Sequence, residues 1–522
     1  MTLAGQVPSK ADDRARATAS NARGRVVVVG AGFGGLATAI RLAVSGVRVT
    51  LVERDDHLGG RAGRLEQEGF AFDTGPSVLT MPHLFAELFA LAGEDIADHV
   101  AVECLDPAYR AVFHDGSVLR VRGSVEAMTE EVRDTIGPDE AVRFRRLADR
   151  LRALYEVEYA TFIDRNFSGP LSLARPAAMA RLLGLGGFRR VYPLVASLVD
   201  DWRLRRLFTF QAMYAGMSPY QALGIYAVIA YMDTIAGVYA ARGGVFAMSR
   251  ALGDLAERVG VDVRLSTEVE RVDVRGDRAR GVVTDDGDQL PADVVVLNAD
   301  LPTAYRELLP AHVRPARLGR LEYSPSCVVV HLGLDRGLAG AAHHNIHFAE
   351  DYRASFDDIL AGHLQRDPSW FLSVPTVSDP GLAPGGGEVG FWLMPCPNLQ
   401  GDAIDWDAQA PREVTRAQRL IAEAGYGPAA EATVTSAVVT PADWARQGMA
   451  AGTPFAVSHR FGQTGPFRPR NLASHVAGVV FTGSSTTPGV GVPMVLVSGR
   501  LAAERAREQL GFSSGRFRRD AP

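Results

Sequence analysis

Lysine is almost missing from this chain. Of 55 basic residues one is lysine, Lys10, and the other 54 are arginine. Lys10 lies in a polar stretch ahead of any structured pattern. That excludes a Schiff-base lysine held in a core, a phosphate-binding Gly-Lys-Ser/Thr loop and a kinase-type strand lysine. Cysteine is scarce too: Cys104, Cys327 and Cys396 are odd in number and far apart. No CxxC pair or metal-ligand spacing exists, which argues against a disulfide framework and fits a reducing cytoplasm. An excess of positive charge is also lacking, since the net charge is -5, and nucleic acid is not an expected partner. No run reads clearly as a membrane span. The nearest, 222–241, contains Asp233 and follows Pro219, and reads as a buried helix. Residues 1–24 lack the apolar core of a signal peptide and read as a disordered polar tail, as does the arginine-rich 513–522.

What is present suits a globular protein of two or three domains, with 522 residues of which 47% are hydrophobic. Arg25–Val29 (RVVVV) is a short apolar, β-branched run, the pattern of a buried parallel strand. GAGFGG follows, then LATAIRLAVSG with apolar residues at helical spacing, closed at Gly46. VRVTLV is a second strand ending at Glu53. Together they form one βαβ unit. Residues 79–245 are largely helical in pattern, with arginine-rich amphipathic stretches at 141–156 and 198–212, and prolines at 170, 176 and 193 divide them. The α/β pattern returns near 245. Met248–Val259 is helical, 261–287 alternates as a small antiparallel sheet, and 292–300 is a buried strand. SCVVVHLGL is a strand, APREVTRAQRLIAEAG a helix, 476–485 a last buried strand and 492–510 a closing helix.

Gly30, Gly32 and Gly35 form GxGxxG between a strand and a helix. The first glycine permits the tight turn, the second lets backbone approach a pyrophosphate, and the third lets helix and strand pack closely. Ala31 and Gly34 complete the loop, and the helix N-terminus offers free N–H groups to phosphate. Glu53 ends the second strand about 20 residues on, where a carboxylate accepts from ribose hydroxyls. Strand, glycines, helix, strand and acid all fall in register, which a chance glycine turn would not produce.

The segment ERDDHLGGRAG, with Arg54, Gly59, Gly60 and Arg61, resembles the part of flavoproteins that follows the ribose acid. FDTGPS, with Gly75, Pro76 and Ser77, matches the next element of that pattern. Further along, GVYAARGGVFAMSRAL, HHNIHF, DPGLAP, LMPCPNL, RFGQTGPFRPRN and GSSTTPGVGVPMVLVSGR extend the likeness in order from about 25 to 510. On these segments the chain resembles the phytoene desaturase family of carotenoid-forming flavoenzymes. The resemblance implies an α/β fold. A Rossmann-type FAD-binding domain of amine-oxidase type (25–78, 242–300 and 471–512) would join a mixed α+β substrate domain (301–470) and a mainly helical substrate- or membrane-facing region (79–241). It implies FAD as cofactor, held by the residues above together with Val269, Gly483, Val492, Pro493 and Met494. The N-terminus of the helix at 492 would face the flavin N1–C2=O edge, where reduced flavin carries negative charge; Pro493 has no N–H to give. The family commonly reads S-T-H-P-G in the preceding loop, and here Thr487 stands at the histidine position.

The reaction implied is loss of two hydrogens from adjacent saturated carbons of a polyene, with hydride going to flavin N5. The protein's part is to hold the reacting carbons against the ring. No acid–base pair is legible, so no catalytic residue is assigned. The substrate would be a lipophilic polyene such as phytoene, drawn from a membrane on which the protein docks peripherally, at the cytoplasmic face. Phe208–Tyr239 is a candidate tunnel wall, with plain core as the equal alternative. A quinone or oxygen is the implied electron acceptor; no second nucleotide site is evident. His343, His344 and His347 invite a metal reading, but strand alternation puts 344 and 347 on opposite faces, and no metal is expected. Within the family a carotenoid isomerase, ketolase or later-step desaturase stays open. A flavin amine oxidase, which the missing lysine disfavours, and a lipid carrier without flavin, which the intact cofactor segments disfavour, are the alternatives of other classes.

Overall fold

The computed structural model describes residues 23–167, 175–401 and 404–513. Both expected tails, save residues 23, 24 and 513, lie outside this range. Five parallel strands form the first sheet, in the spatial order Val479–Phe481, Val294–Leu297, Arg25–Val29, Arg48–Val52, Asp262–Arg264. Strand alternation sends Val26 and Val28 to one face and Val27 and Val29 to the other, and both faces are covered. On the first face lie the helices Phe33–Val44, His83–Ala92, Gly244–Arg258 and Val492–Gln509. The three-stranded antiparallel sheet Val269–Arg275, Arg278–Thr284, Gln289–Pro291 backs the other face. Arg25–Val29 and Val294–Leu297, distant in sequence, thus pair because both are apolar on both sides.

A seven-stranded sheet builds the second layer, in the order Thr433–Val439, Ser326–Leu334, Glu388–Cys396, Trp370–Ser373, His344–His347, Tyr109–Val112, Val118–Val121. Val328, Val330 and Leu332 pack under the helix Trp406–Glu423 through Ala417 and Ile421. Cys327, Val329 and Phe391 face the other way, toward Trp444 and Met449.

Three expectations need correction. Residues 79–241 are not simply a helical insert: Tyr109–Val112 and Val118–Val121 extend the second sheet, joined to it by the parallel register Asn345↔Arg110. Those strands are four residues each, too short to show against the arginine-rich background. The stretch 198–212 is not one helix either. Asp201 caps Trp202–Leu207, and a separate tight turn of helix follows at Phe210–Ala215. Residues 222–241, expected as a buried helix, break into a 3-10 turn, the four-residue helix Ala227–Ala230, a π turn Tyr231–Ile235 and the strand Tyr239–Ala241. The Thr234 hydroxyl donates back to Ala230 O, and Gly237 turns at φ +93°. Asp233 within it is buried and accepts from Tyr109 Oη at 2.6 Å. Among the described residues no helix is long and apolar enough to cross a membrane.

Candidate functional site

The glycine loop lies at the C-terminal end of Arg25–Val29, where a doubly wound sheet places its ligands. Gly30 takes φ +99°, a left-handed conformation that suits glycine. A Cβ on Gly35 would collide with Gly30 O, so the third glycine is what lets the helix start against the strand. A Cβ on Gly32 would meet only Asn298 Nδ2 at 3.1 Å and Gly59 O at 3.7 Å. Space for a diphosphate therefore opens above Gly32. Gly34 presses on Asn298 Oδ1 and on the C-terminal helix, where a Cβ at Gly499 would stand 2.7 Å from Gly34 O.

Glu53 is buried. Its Oε2 accepts from Ala31 N at 2.7 Å and its Oε1 from Asp55 N at 3.1 Å. The carboxylate, expected to accept from ribose hydroxyls, is bonded to the glycine loop through Ala31 N. Thr267 N donates to Glu53 O at 2.8 Å, which brings Val269, the first residue of its strand, to the same corner. Arg54 is more exposed and reaches Gln447 O at 2.9 Å.

Gly59 N donates to Ala31 O at 3.0 Å, folding Gly59–Gly60 onto the first loop. Gly60 rests on Gly32, its missing Cβ lying 3.4 Å from Gly32 Cα. Gly75 packs on Arg61 O so closely that no side chain fits there. Pro76 and Ser77 follow, half-buried, and Ser77 lines a cavity with Asp73, Gly244, Tyr239 and His331. Asp73 accepts from Val245 N and Phe246 N at 2.7 and 3.0 Å, capping the helix Gly244–Arg258; burial pushes its pKa up to about 6.

The Arg61 guanidinium spans the site. Nη1 donates to Ser484 Oγ at 2.8 Å and to Pro454 O at 3.0 Å. Burial lowers its pKa and the charge of Asp300 opposes that shift. Gly483, at φ +108°, gives its N–H to Ser498 Oγ at 3.0 Å. The first hydrogen bond of the C-terminal helix runs from Val495 N to Gly491 O, so the N–H groups of Val492 and Met494 have no partner within the helix. Pro493, at its start, has none to offer. Gly30–Gly35, Gly59–Arg61, Gly75 and Gly483–Ser484 thus pack on one another from four separate stretches of chain.

Sequence reasoning missed the residues that brace this cleft. Asn298, at the end of Val294–Leu297, donates to Gly30 O at 3.2 Å and touches Gly34 and Gly483. Asp300 accepts from Ala450 N at 2.9 Å and from the Ser485 hydroxyl. Arg468 is 1% exposed and donates to Thr486 O at 2.8 Å, Ser484 O at 2.6 Å and Val457 O at 3.1 Å. Burial pulls its pKa down to about 10. His459 lies against Gly489 so tightly that a Cβ there would overlap its ring. A histidine thus reaches the loop that carries Thr487, but from another part of the chain. The only signal available was placement: Asn298 and Asp300 follow a buried strand, where parallel sheets carry ligand-side residues.

The three neighbouring histidines have protein partners. His343 bonds Ser378 Oγ at 2.8 Å, His344 bonds Ser373 Oγ at 3.2 Å, and His347 bonds Tyr426 Oη at 3.0 Å while stacking on Trp370. Burial lowers the pKa of each. His331 is wedged between Phe72 and Phe391 and lines the same cavity as Ser77. Burial pushes its pKa down to about 4, so it is neutral at ordinary pH.

Comparison with known proteins agrees with this geometry. Residues 33–507 match the family model described as flavin containing amine oxidoreductase. A phytoene dehydrogenase of Streptomyces griseus is 49% identical, over 92% of this chain and 94% of that protein. A zeta-carotene-forming phytoene desaturase of Myxococcus xanthus is 37% identical, over 94% and 95%. Among solved structures, cyclohexylamine oxidase of Brevibacterium oxydans shares the fold, with a TM-score of 0.57, 20% identity, and coverage of 94% of this chain and 100% of that one. The open face over Gly32 and the braced loop 483–494 fit the cofactor these relatives imply. The chain is an FAD-dependent oxidoreductase that belongs to the flavin containing amine oxidoreductase family and, within it, to the phytoene desaturase family.

Proposed function

We propose that this enzyme desaturates phytoene or a closely similar polyene in carotenoid formation. The observation that carries this reading is the pairing of the braced glycine-loop site with a seven-stranded sheet, one face of which is apolar and aromatic, with Cys327, Val329, Phe371 and Phe391 packed together with Trp444 and Met449. A hydrocarbon offers no polar handle, so such a wall must position it by shape. Bound FAD supplies the two-electron acceptor. Residues Gly30–Gly35, Glu53 and Arg61 would hold and orient it, and the N–H groups of Val492 and Met494, free of partners within their helix, would be available to stabilise negative charge on the reduced flavin. Neutral His331 and the rings of Phe72 and Phe391 add an uncharged stretch to a cavity whose other side carries Asp73.

The substrate lives in lipid, and we infer that the protein docks on the cytoplasmic face of a membrane. Phe208–Tyr239, the candidate tunnel wall, lies largely inside, with Phe208 and Met232 buried. The docking surface we infer is the helix Pro176–Leu185 and the turn after it. Leu183 is 67% and Phe188 37% exposed. Arg181, Arg189 and Arg190 lie beside them, and 175–190 contains no carboxylate. Arginine with exposed apolar side chains suits an anionic bilayer. A quinone in that bilayer, or oxygen, is the proposed acceptor of the electrons.

The test is anaerobic mixing of the purified yellow protein with phytoene in anionic vesicles. Bleaching of the flavin together with a longer conjugated chromophore in the lipid is the expected result. Flavin that stays oxidised in the presence of phytoene and related polyenes contradicts the reading.

A further inference from the structure

Every other buried carboxylate in the described residues has a visible partner: Glu53 holds backbone N–H groups, Glu140 holds Asp200 N, Asp164 pairs with Arg500, Asp233 with Tyr109, Glu388 with Leu338 N, Glu413 with Gln409. Glu158 has none. It is 6% exposed, Oε1 finds no donor, and it ends the long helix Pro138–Glu158 where the chain passes into the π turn Tyr159–Ile163. A buried acid without compensation destabilises a fold, and such groups concentrate at working sites. The same holds for π turns, and a second one, Tyr231–Ile235, packs against this helix end.

Tyrosines cluster around this helix end. Tyr155 stacks on Tyr231 with centroids 4.8 Å apart. Tyr155, Tyr159 and Tyr231 pack against the same core as Met494 at the start of the C-terminal helix. On the other side, Glu158 acts electrostatically on Tyr226. The Tyr226 hydroxyl donates to His459 O, and His459 lies against Gly489. From the C-terminal side, Arg468 also faces Tyr226, and its fork is committed to backbone carbonyls.

We propose that Glu158 is the catalytic residue that takes the proton in desaturation. The proposal rests on the polyene-desaturase reading. A hydride, with both electrons of one C–H bond, leaves the first saturated carbon for the oxidised flavin, and cation character is left beside an existing double bond. The neighbouring carbon then loses a proton to Glu158 Oε1, and the electrons of that second C–H bond form the new π bond. The polyene is oxidised by two electrons and the flavin reduced by two. Tyr226 and the tyrosines around the π turns supply a neutral wall. Burial raises the Glu158 pKa well above the ordinary carboxylate range, which makes its ionised form a stronger base than an exposed glutamate.

The experiment compares wild type, Glu158→Gln and Glu158→Asp as flavin-loaded proteins, measuring the rate of anaerobic flavin reduction by vesicle-borne phytoene across pH. Wild type is expected to speed up as pH rises through the Glu158 ionisation. Glu158→Gln keeps the volume and should bind flavin normally, yet reduce it at least about 100-fold more slowly, with a flat profile. Glu158→Asp should keep a pH-dependent rate at lower amplitude. An independent readout is thermal melting. The raised pKa favours the protonated folded form, so the Glu158 contribution is full in acid and lost as pH rises. Glu158→Gln should therefore melt higher than wild type at alkaline pH and alike in acid. A rate within about threefold of wild type with the same pH profile, or identical melting at every pH, overturns the proposal. Wild type that leaves phytoene untouched overturns the desaturase reading instead.

Discussion

Arg468 Nη2 donates to Ser484 O at 2.6 Å, and the same buried guanidinium reaches Thr486 O through Nε. A charged fork with no carboxylate at bonding distance is thereby spent on shaping the loop that leads to the C-terminal helix. Arg468→Met leaves those carbonyls unsatisfied and should cost about 3 kcal/mol of stability and most of the flavin affinity. Arg468→Lys should not rescue it, because an ammonium cannot match the planar fork. Denaturant melts and flavin content after desalting check both; a lysine variant with wild-type flavin content contradicts the account.

Gly35→Ala should abolish flavin binding, since the new Cβ would meet Gly30 O, a backbone atom that cannot yield. Gly184→Ala is the control. It lies in the helix Pro176–Leu185 with nothing within 4 Å of its missing Cβ, and should raise stability by roughly 0.5–1 kcal/mol. Flavin absorbance and melting temperature of the two proteins, side by side, give the answer.

Asp233 is buried with its pKa pushed up to about 6 by desolvation, against the opposing hydrogen bonds from Tyr109 and Gln211. A raised carboxyl pKa means the folded state holds its proton longer than the unfolded one. Its contribution is then full below about pH 4 and is lost as pH rises through about 6. The stability difference between wild type and Asp233→Asn should change across that window and level off above it. Chemical denaturation at several pH values from 4 to 8 measures the difference; a constant offset would refute the assignment.

Leu183→Glu with Phe188→Glu should leave flavin content and melting unchanged, because both side chains face outward. Flotation with anionic vesicles should fall by about tenfold or more, as burial of two large apolar side chains is lost. Equal flotation of variant and parent removes this helix from the docking surface.

The first βαβ unit was legible because one loop forced every local choice: strand, glycines, helix and acid lie within 29 residues of each other, from Arg25 to Glu53. The brace around it was not. Asn298, Asp300, His459 and Arg468 act on partners that sequence order does not bring near; only the placement of Asn298 and Asp300 after a buried strand hints at a role, and nothing in the local pattern marks His459 or Arg468. Tyr109–Val121 hid its strands for a different reason, being too short to alternate visibly. The stretch 222–241 misled through composition, since a tract so apolar suits a buried helix until Thr234 and Gly237 interrupt it. Glu158 was invisible as well: in sequence it is one more acid on an amphipathic helix, and only its burial without a partner sets it apart.

The most direct measurement is to express this chain in a bacterium that accumulates phytoene and to extract the pigments. The account predicts a yellow or red polyene with a lengthened conjugated chromophore, formed by wild type and lost with Gly35→Ala. Phytoene recovered unchanged from cells that contain the soluble, flavin-loaded protein would contradict it.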